Sequence, residues 1–376
     1  MLRNLTTNII SFFFRFLPIK RNQILFISYY GAQYGCNPKY ISEYLIKNHK
    51  DHISIVWALT NIKNGKPSNV KIVKYGSIKY LKALSTSRII CTNYRMTMDF
   101  KKRNSQTYIQ TWHSSLRLKK IERDASDTLS KDYIRMAKHD SAQTDYVIAG
   151  CGNSRNTFET SFWYSGRILE YGTPRNDLLI HSPQGKINSI KDLLNIPIEK
   201  KIILYAPTFR KDKSLKPYQL DFNNVCKLLS NRFGGEWIVL LRLHPHLINE
   251  HLFCGIDNML DVTNFNDIQE LLLISDILVT DYSSLMFDFA ISYKPVFLFA
   301  TDIAEYSKHD RSFYFDIQRL PFPLANDNSE LAENILSFDE DKYKSNLKYF
   351  YNSVGSFENG NASEKVSNLI MNLIKS

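Results

Sequence analysis

Short apolar runs, each closed by a polar turn and followed by residues at helical spacing, recur along the chain. Runs at 24–28, 53–59, 70–73, 88–92, 108–112, 146–149 and 168–171 predict strands in the first half. Pro38 opens a helix through Ile46 with Tyr40, Ile41, Tyr44 and Leu45 on one face, and 78–84 predicts another. A charge-rich helix, whole or broken, is expected from Leu116 to about Lys138. Residues 181–200 read as a linker with a short amphipathic helix (Ile187, Ile190, Leu193, Leu194). The alternation then restarts, with strands at 201–205, 237–243, 277–279 and 295–299 and helices near 222–229, 268–274 and 362–374. Two such sets predict an α/β protein of two doubly wound domains facing each other across a cleft. The boundaries expected are a segment 1–21, domains 22–180 and 201–356 joined by the linker 181–200, and a C-terminal helix 357–376.

In open parallel sheets functional groups gather beyond the carboxyl ends of the strands. Four polar clusters stand there: Trp112-His113-Ser114-Ser115, Ala206-Pro207-Thr208-Phe209-Arg210, Arg242-Leu243-His244-Pro245-His246 and Thr280-Asp281-Tyr282-Ser283-Ser284. A fifth, Gly172-Thr173-Pro174-Arg175-Asn176-Asp177, lies near the domain junction. At Thr280–Ser284 either Asp281 or Ser283 caps the following helix, or the serines and the free N–H groups hold a phosphate. The residues alone leave both readings open. The same holds for His113, a base or a core histidine, and for Arg175-Asn176-Asp177, a ligand group or a capped helix start. None of the clusters forms a Gly-x-Gly-x-x-Gly dinucleotide loop, and a Gly-x-x-x-x-Gly-Lys phosphate loop is missing, which argues against ATP hydrolysis.

Composition narrows the choice of partners. The 376 residues, 44% hydrophobic and 23% charged, are globular in character and long enough for two cores. Five scattered cysteines with no Cys-x-x-Cys pair point to a reducing compartment without a disulfide or zinc framework. His244, His246, His251 and Cys254 have the irregular spacing, broken by Pro245, that zinc sites avoid. A net charge of +11 calls for an anionic partner: nucleic acid, a phosphorylated substrate or an acidic membrane. The basic-aromatic motif of a nucleic-acid module is missing, so nucleic acid is not expected. The aromatic stretch 8–18, followed by Lys20 and Arg21, is shorter than the ~20 residues that span a bilayer. It has no small-residue cleavage site. It is either an aromatic anchor lying in the headgroup region of an anionic membrane or a first helix packed on the N-terminal domain.

The clusters also resemble, in order, the motifs of a known family. These are Asn37-Pro38-Lys39, Gln110-Thr111-Trp112-His113 with Leu118-Lys119-Lys120-Ile121, Gly172-x-Pro174-Arg175-Asn176-Asp177, Ala206-Pro207-Thr208-Phe209-Arg210 and Arg242-x-His244-Pro245. Thr280-Asp281-Tyr282-Ser283-Ser284-x-x-Phe287-Asp288, Phe313-Tyr314-Phe315-Asp316 and Gly360-Asn361-Ala362-Ser363-Glu364 complete the series. The set is similar to the CDP-glycerol glycerophosphotransferases, the polyol-phosphate polymerases and primases of teichoic acid and capsule synthesis. The resemblance implies a glycosyltransferase-B-like pair of Rossmann-like domains, the C-terminal one holding a CDP-linked polyol and the N-terminal one the acceptor. It implies transfer of glycerol phosphate or ribitol phosphate from CDP-glycerol or CDP-ribitol to a hydroxyl of a lipid-linked or polymeric glycan, with CMP leaving.

By motif position, the resemblance makes His113 the base and His244 a second essential histidine. Thr208, Arg210, Arg242, Asp281, Ser283, Ser284 and Asp288 become donor-binding residues, with Arg210 and Arg242 as forked donors to the diphosphate. Trp112, Ser114, Ser115, Arg175, Asn176 and Asp177 become acceptor or cleft residues. No metal and no tightly bound cofactor are expected, and the implied location is cytoplasmic, peripheral on the inner face of the cell membrane. A nucleotide-sugar glycosyltransferase of the same fold is the alternative, although such enzymes often carry a Glu where Ser283, Ser284 and Asp288 stand. The chain departs from the pattern at Ser114-Ser115, where Gly-Thr is usual, and at Cys36, where an acidic residue is common. It lacks the N-terminal extension of the long polymerases, which leans towards a primase or a compact capsule enzyme.

Overall fold

The computed structural model describes residues 10, 12–61, 70–210, 216–243, 258–309 and 312–376. Thirteen strands form two sheets among them. In the first sheet β1 (Lys20–Ile27), β2 (Ser54–Leu59), β3 (Lys71–Lys74), β4 (Ser87–Thr92), β5 (Thr107–Gln110), β6 (Tyr146–Ile148) and β7 (Arg167–Leu169) run in the order β3-β2-β1-β4-β5-β6-β7. In the second, β8 (Lys201–Tyr205), β9 (Trp237–Leu241), β10 (Met259–Asp261), β11 (Ile277–Thr280), β12 (Val296–Phe299) and β13 (Leu324–Ala325) run in the order β10-β9-β8-β11-β12-β13. Every pairing is parallel. Central strands such as β11 (ILVT) and β12 (VFLF) are therefore buried along their whole length, which is why they read as unbroken apolar runs.

Contacts divide the chain into two compact units. The first is Met1–Ser115, Ile121–Asp177 and Ser356–Ser376; the second is Leu116–Lys120 and Leu178–Gly355. The C-terminal helix Ala362–Lys375 thus belongs with the first sheet, where its Val366, Ile370 and Met371 join Ile24, Phe26 and Ile41 in one apolar cluster. Helix Gln184–Leu193, expected in a linker, lies within the second unit.

The helix expected from Leu116 is not continuous. Residues 116–120 instead belong to the second unit: Lys119 bridges Phe313, Tyr314 N–H donates to the Leu118 carbonyl (2.7 Å), and Lys120 N–H donates to Ser312 (2.8 Å). A 3-10 segment, Glu122–Thr128, and a helix, Lys131–Gln143, follow. Charge density suggested a helix here, but pairing to a distant strip decides the conformation. The three- and two-residue edge strands β10 and β13 have no readable period, being too short for one.

At the N-terminus Ile10 and Phe14 pack on the cluster of Leu25, Ile27 and Tyr108, while Phe12, Phe13 and Phe16 are 56%, 64% and 73% exposed. The stretch is therefore a packed turn with an outward aromatic face. No helix among the described residues is long and apolar enough to cross a membrane.

Under the first sheet's carboxyl edge Arg95 is buried between two carboxylates. Its guanidinium donates to Glu122 (3.0 Å), Asp140 (3.1 Å), Ser141 Oγ (2.8 Å) and the Phe162 carbonyl (3.1 Å), and it lies 3.6 Å from the Phe162 ring centroid. Tyr133 and Tyr108 hydroxyls complete the shell on Glu122 and Asp140. Removing one member of such a buried set leaves uncompensated charge, at a cost of about 3–5 kcal/mol. Arg95→Met should lower the urea-unfolding free energy by about that amount, whereas an effect below about 1 kcal/mol would show that the set is dispensable.

Candidate functional site

Each sheet reverses its strand order once, between β1 and β4 in the first and between β8 and β11 in the second. Loops diverge at these points and leave a crevice at the carboxyl edge, where ligands of such sheets bind. The clusters singled out in the sequence converge on the two edges.

At the first edge, β5 delivers Thr111, Trp112 and His113. Trp112 has a left-handed backbone (φ 49°), fixed by its N–H donating to Gln110 Oε1 (3.0 Å) and by Asn37 Nδ2 donating to the Trp112 carbonyl (3.0 Å). Its ring stacks on the His113 ring at 4.7 Å and meets Phe162 edge-on at 4.9 Å, so the Arg95 set supports it from below. His113 Nδ1 lies 3.4 Å from the Asn93 carbonyl, and the Tyr29 ring flanks it at 6.1 Å. In the tautomer whose Nδ1–H donates to that carbonyl, Nε2 is the basic nitrogen of the neutral ring. Ser114 is half-buried beside it. Ser115 is buried, and its carbonyl accepts from Ser154 Oγ and Cys151 Sγ.

Arg175, Asn176 and Asp177, expected as acceptor or cleft residues, make protein contacts within the first unit. All three are buried. Arg175 N–H donates to Asn37 Oδ1 (3.0 Å) and its Nη1 to Cys36 Sγ (3.5 Å); Asn176 donates to Glu358 (3.4 Å). Asp177 accepts from Ala362 N–H (3.1 Å) and Ser363 N–H (2.7 Å), capping helix Ala362–Lys375. The cap bonds go to a helix far along the chain and not, as the sequence alternative has it, to the adjacent one.

At the second edge, the turn after β11 interlocks with the turn after β8. Thr280 Oγ1 donates to the Ala206 carbonyl (2.7 Å), while Asp281 Oδ1 accepts from Thr208 N–H (2.8 Å) and Tyr282 N–H (2.6 Å). Arg210 bridges Asp281 (2.9 Å) and Asp302 (2.6 Å), donates to the Thr208 carbonyl (2.6 Å), and lies 4.9 Å from the ring centroids of both Tyr282 and Tyr306. Arg210, expected as a forked donor to the diphosphate, directs its Nε, Nη1 and Nη2 at two carboxylates and a carbonyl. Burial works against its charge, but the bonds and charges of Asp302 and Asp281 outweigh this and raise its pKa. Burial likewise raises Tyr282, reinforced by Asp302, and lifts the Tyr218 hydroxyl to about 12.

The serines are partly engaged as well. Ser283 Oγ accepts from Leu285 N–H (3.4 Å) and Ser284 Oγ from Leu118 N–H (3.3 Å), so a local turn bond and a long-range tie both form, while the N-cap residue Ser284 makes no side-chain cap bond to its own helix. Each hydroxyl keeps its proton as a donor. The helix they precede, Leu285–Phe289, has five residues, so a macrodipole contributes little and individual N–H and O–H donors carry any anion binding. Asp288 is buried within this helix. Thr208 Oγ1 is buried without a hydrogen-bond partner among the described residues. Arg242 donates through Nη1 to the Phe265 carbonyl (2.7 Å) and is only half-buried. His244, with His246, His251 and Cys254, lies outside the described residues; among the described ones no cluster of metal-ligating side chains occurs.

The sequence reading missed Asn93, Tyr29 and Asp302. Asn93 directly follows β4 and Asp302 closely follows β12, so the strand-end rule could have found them; their partners could not be guessed without the fold.

Residues 9–372 match the sequence model of the CDP-glycerol:poly(glycerophosphate) glycerophosphotransferase family. A teichoic acid poly(glycerol phosphate) polymerase of Staphylococcus epidermidis is 36% identical over 376 residues, covering 95% of this chain and 51% of that protein. The chain therefore spans about half the length of that relative, and the same holds for the Bacillus subtilis polymerase, of which 49% is covered. A teichoic acid glycerol-phosphate transferase of Staphylococcus aureus is 36% identical, with 94% of each chain covered. A solved structure of the wall teichoic acid polymerase TagF superposes with a TM-score of 0.87 at 34% identity, over 100% of this chain and 97% of that one. With a matching family model over nearly its whole length and the glycosyltransferase-B-like α/β architecture of that neighbour, the chain belongs to the CDP-glycerol:poly(glycerophosphate) glycerophosphotransferase family.

Proposed function

We propose that this protein transfers glycerol phosphate from CDP-glycerol to a hydroxyl of a teichoic acid or related glycan precursor. The observation that carries this reading is His113: its Nδ1 faces the Asn93 carbonyl at 3.4 Å and its ring is stacked on Trp112, after β5 and beside the switch point of the first sheet. In the reaction the acceptor oxygen attacks the phosphorus next to the polyol. A new O–P bond forms, the bond to the bridging oxygen of the diphosphate breaks, CMP leaves, and His113 Nε2 takes the hydroxyl proton. An alcohol is a weak nucleophile near neutral pH, and a positioned histidine base contributes about 10²–10⁴-fold.

The donor belongs to the second edge. Ser283, Ser284 and Thr208 supply hydroxyl donors there, with Arg242 as a cation; His244 is the expected second histidine by motif position. Arg210, Asp281 and Asp302 act as the frame that holds these donors in register. Glycerol is favoured over ribitol because the relatives at 36% identity are named for glycerol phosphate, whereas a poly(ribitol-phosphate) polymerase is 28% identical. A TagF variant has also been solved after soaking with CDPG. No metal or tightly bound cofactor enters this mechanism.

The outward Phe12, Phe13 and Phe16, near Arg15, Lys20 and Arg21, support a peripheral position on an anionic membrane, at its cytoplasmic face where CDP-linked donors and lipid-linked acceptors would meet.

Three experiments test this. Incubation with CDP-glycerol, CDP-ribitol and UDP-sugars, with an alkyl glycerol phosphate as acceptor, should release CMP from CDP-glycerol most rapidly; UDP release from a sugar donor alone would transfer the case to a sugar transferase. His113→Ala should lower kcat by about 10²–10⁴-fold with an unchanged circular-dichroism melt, and near wild-type turnover would remove the histidine from the chemistry. The protein should co-sediment with vesicles containing phosphatidylglycerol and be released as salt rises; if changing Phe12, Phe13 and Phe16 together to Ser leaves co-sedimentation intact, the N-terminal anchor is wrong.

A further inference from the structure

Strain, unpaired polar atoms and a half-exposed tyrosine backed by a buried one coincide at one place, the switch point between β1 and β4. The chain leaves β1 through Tyr29, Tyr30 and Gly31, with φ of 45°, 56° and 81°. Left-handed backbone suits the glycine but is costly for two consecutive tyrosines, and such strain persists where the surroundings enforce it, commonly at ligand sites. Here the enforcing contacts are Tyr29 N–H donating to Asn93 Oδ1 (2.9 Å) and Gly31 N–H to the Ser28 carbonyl (2.9 Å). Ser28 Oγ and Asn93 Nδ2 are buried without hydrogen-bond partners among the described residues, and each sits one residue beyond a central strand. Unpaired buried polar atoms are rare enough to need a reason, and the polar floor of a ligand crevice is one.

The consequence of the strain is that Tyr30 is held 44% exposed, its ring centroid 4.0 Å from that of Tyr94, the residue following Asn93. Its neighbour Tyr29 flanks His113. A half-exposed ring packed at a 43° tilt on a second ring, one residue along from the Tyr29 that flanks the candidate base, presents an aromatic surface. The flat, C–H-lined face of a pyranose fits it; a flexible, charged polyol-phosphate chain has no such face. Resting on the transferase reading above, we propose that Tyr30, backed by Tyr94, is the platform on which a sugar ring of the acceptor stacks, placing its hydroxyl before His113.

Two acceptors with the same tail separate the outcomes: octyl β-N-acetylglucosaminide, which has a pyranose ring, and octyl glycerol phosphate, which has none. With CDP-glycerol saturating, Tyr30→Ala should raise KM for the glucosaminide by about tenfold, the size of one lost ring contact, with kcat within about threefold. KM values for octyl glycerol phosphate and CDP-glycerol should not move, and Tyr30→Phe should behave as wild type. Equal loss with both acceptors, a fall in kcat at constant KM, or wild-type turnover of octyl glycerol phosphate alone would overturn the platform. Tryptophan-fluorescence titration with the glucosaminide, without donor, reads binding directly: weaker binding in Tyr30→Ala supports the proposal, and equal binding or none in the wild type refutes it. Failure of the wild type to release CMP from CDP-glycerol would instead count against the transferase reading, leaving the titration to decide the platform.

Discussion

Every strand pairing in both sheets is parallel, and the rest of the architecture follows from that constraint. Parallel neighbours cannot be joined by a tight turn, so each strand must end in a loop that leads into a crossover. The carboxyl edge therefore collects every loop that leaves a strand, and the single reversal of strand order opens a crevice there. Tyr29, Asn93 and His113 share the first edge; Thr208, Arg210, Asp281 and Ser283 share the second. Chemistry gathers at these edges because of the chain's topology, before any particular side chain is considered.

The two edges are stiffened by the same physical device. Each contains a buried arginine held between two carboxylates: Arg95 with Glu122 and Asp140, Arg210 with Asp281 and Asp302. A buried ion set is a weak source of net stability but is strongly directional, because desolvation penalises any geometry that leaves a charge unpaired. Arg95 stacks on Phe162, which meets Trp112, which stacks on His113. Arg210 ties the turn after β8 to that after β11 and to Asp302 beyond β12. Both arginines thus set the positions of other groups.

That distinction explains where sequence reading went astray. An arginine after a strand in a phosphate-handling family looks like a phosphate ligand, and Arg210 fits that pattern. The carboxylates that occupy it lie 71 and 92 residues further along the chain, beyond the reach of local pattern. Asp177 was correctly seen as a possible cap, but the helix it caps begins at Ala362. Lys119 and Lys120 looked helical by charge until pairing with residues 312–314 made the segment extended. Each error has one cause: a local signal was outweighed by a partner distant in sequence.

The sequence by itself determined the alternation of strands and helices, the parallel nature of the sheets and the strand ends where polar residues cluster. These depend on side-chain periodicity, which is local. Its ordered motifs also pointed to the family. Only the tertiary structure decided what each polar residue does. Hydrogen bonds and ion pairs tie Arg210, Arg175 and Asp177 to distant parts of the chain, set one His113 nitrogen facing a carbonyl, and hold Tyr29 and Tyr30 in left-handed backbone. A buried polar group takes its role from the partner that offsets its desolvation, and folding chooses that partner without regard to distance along the chain.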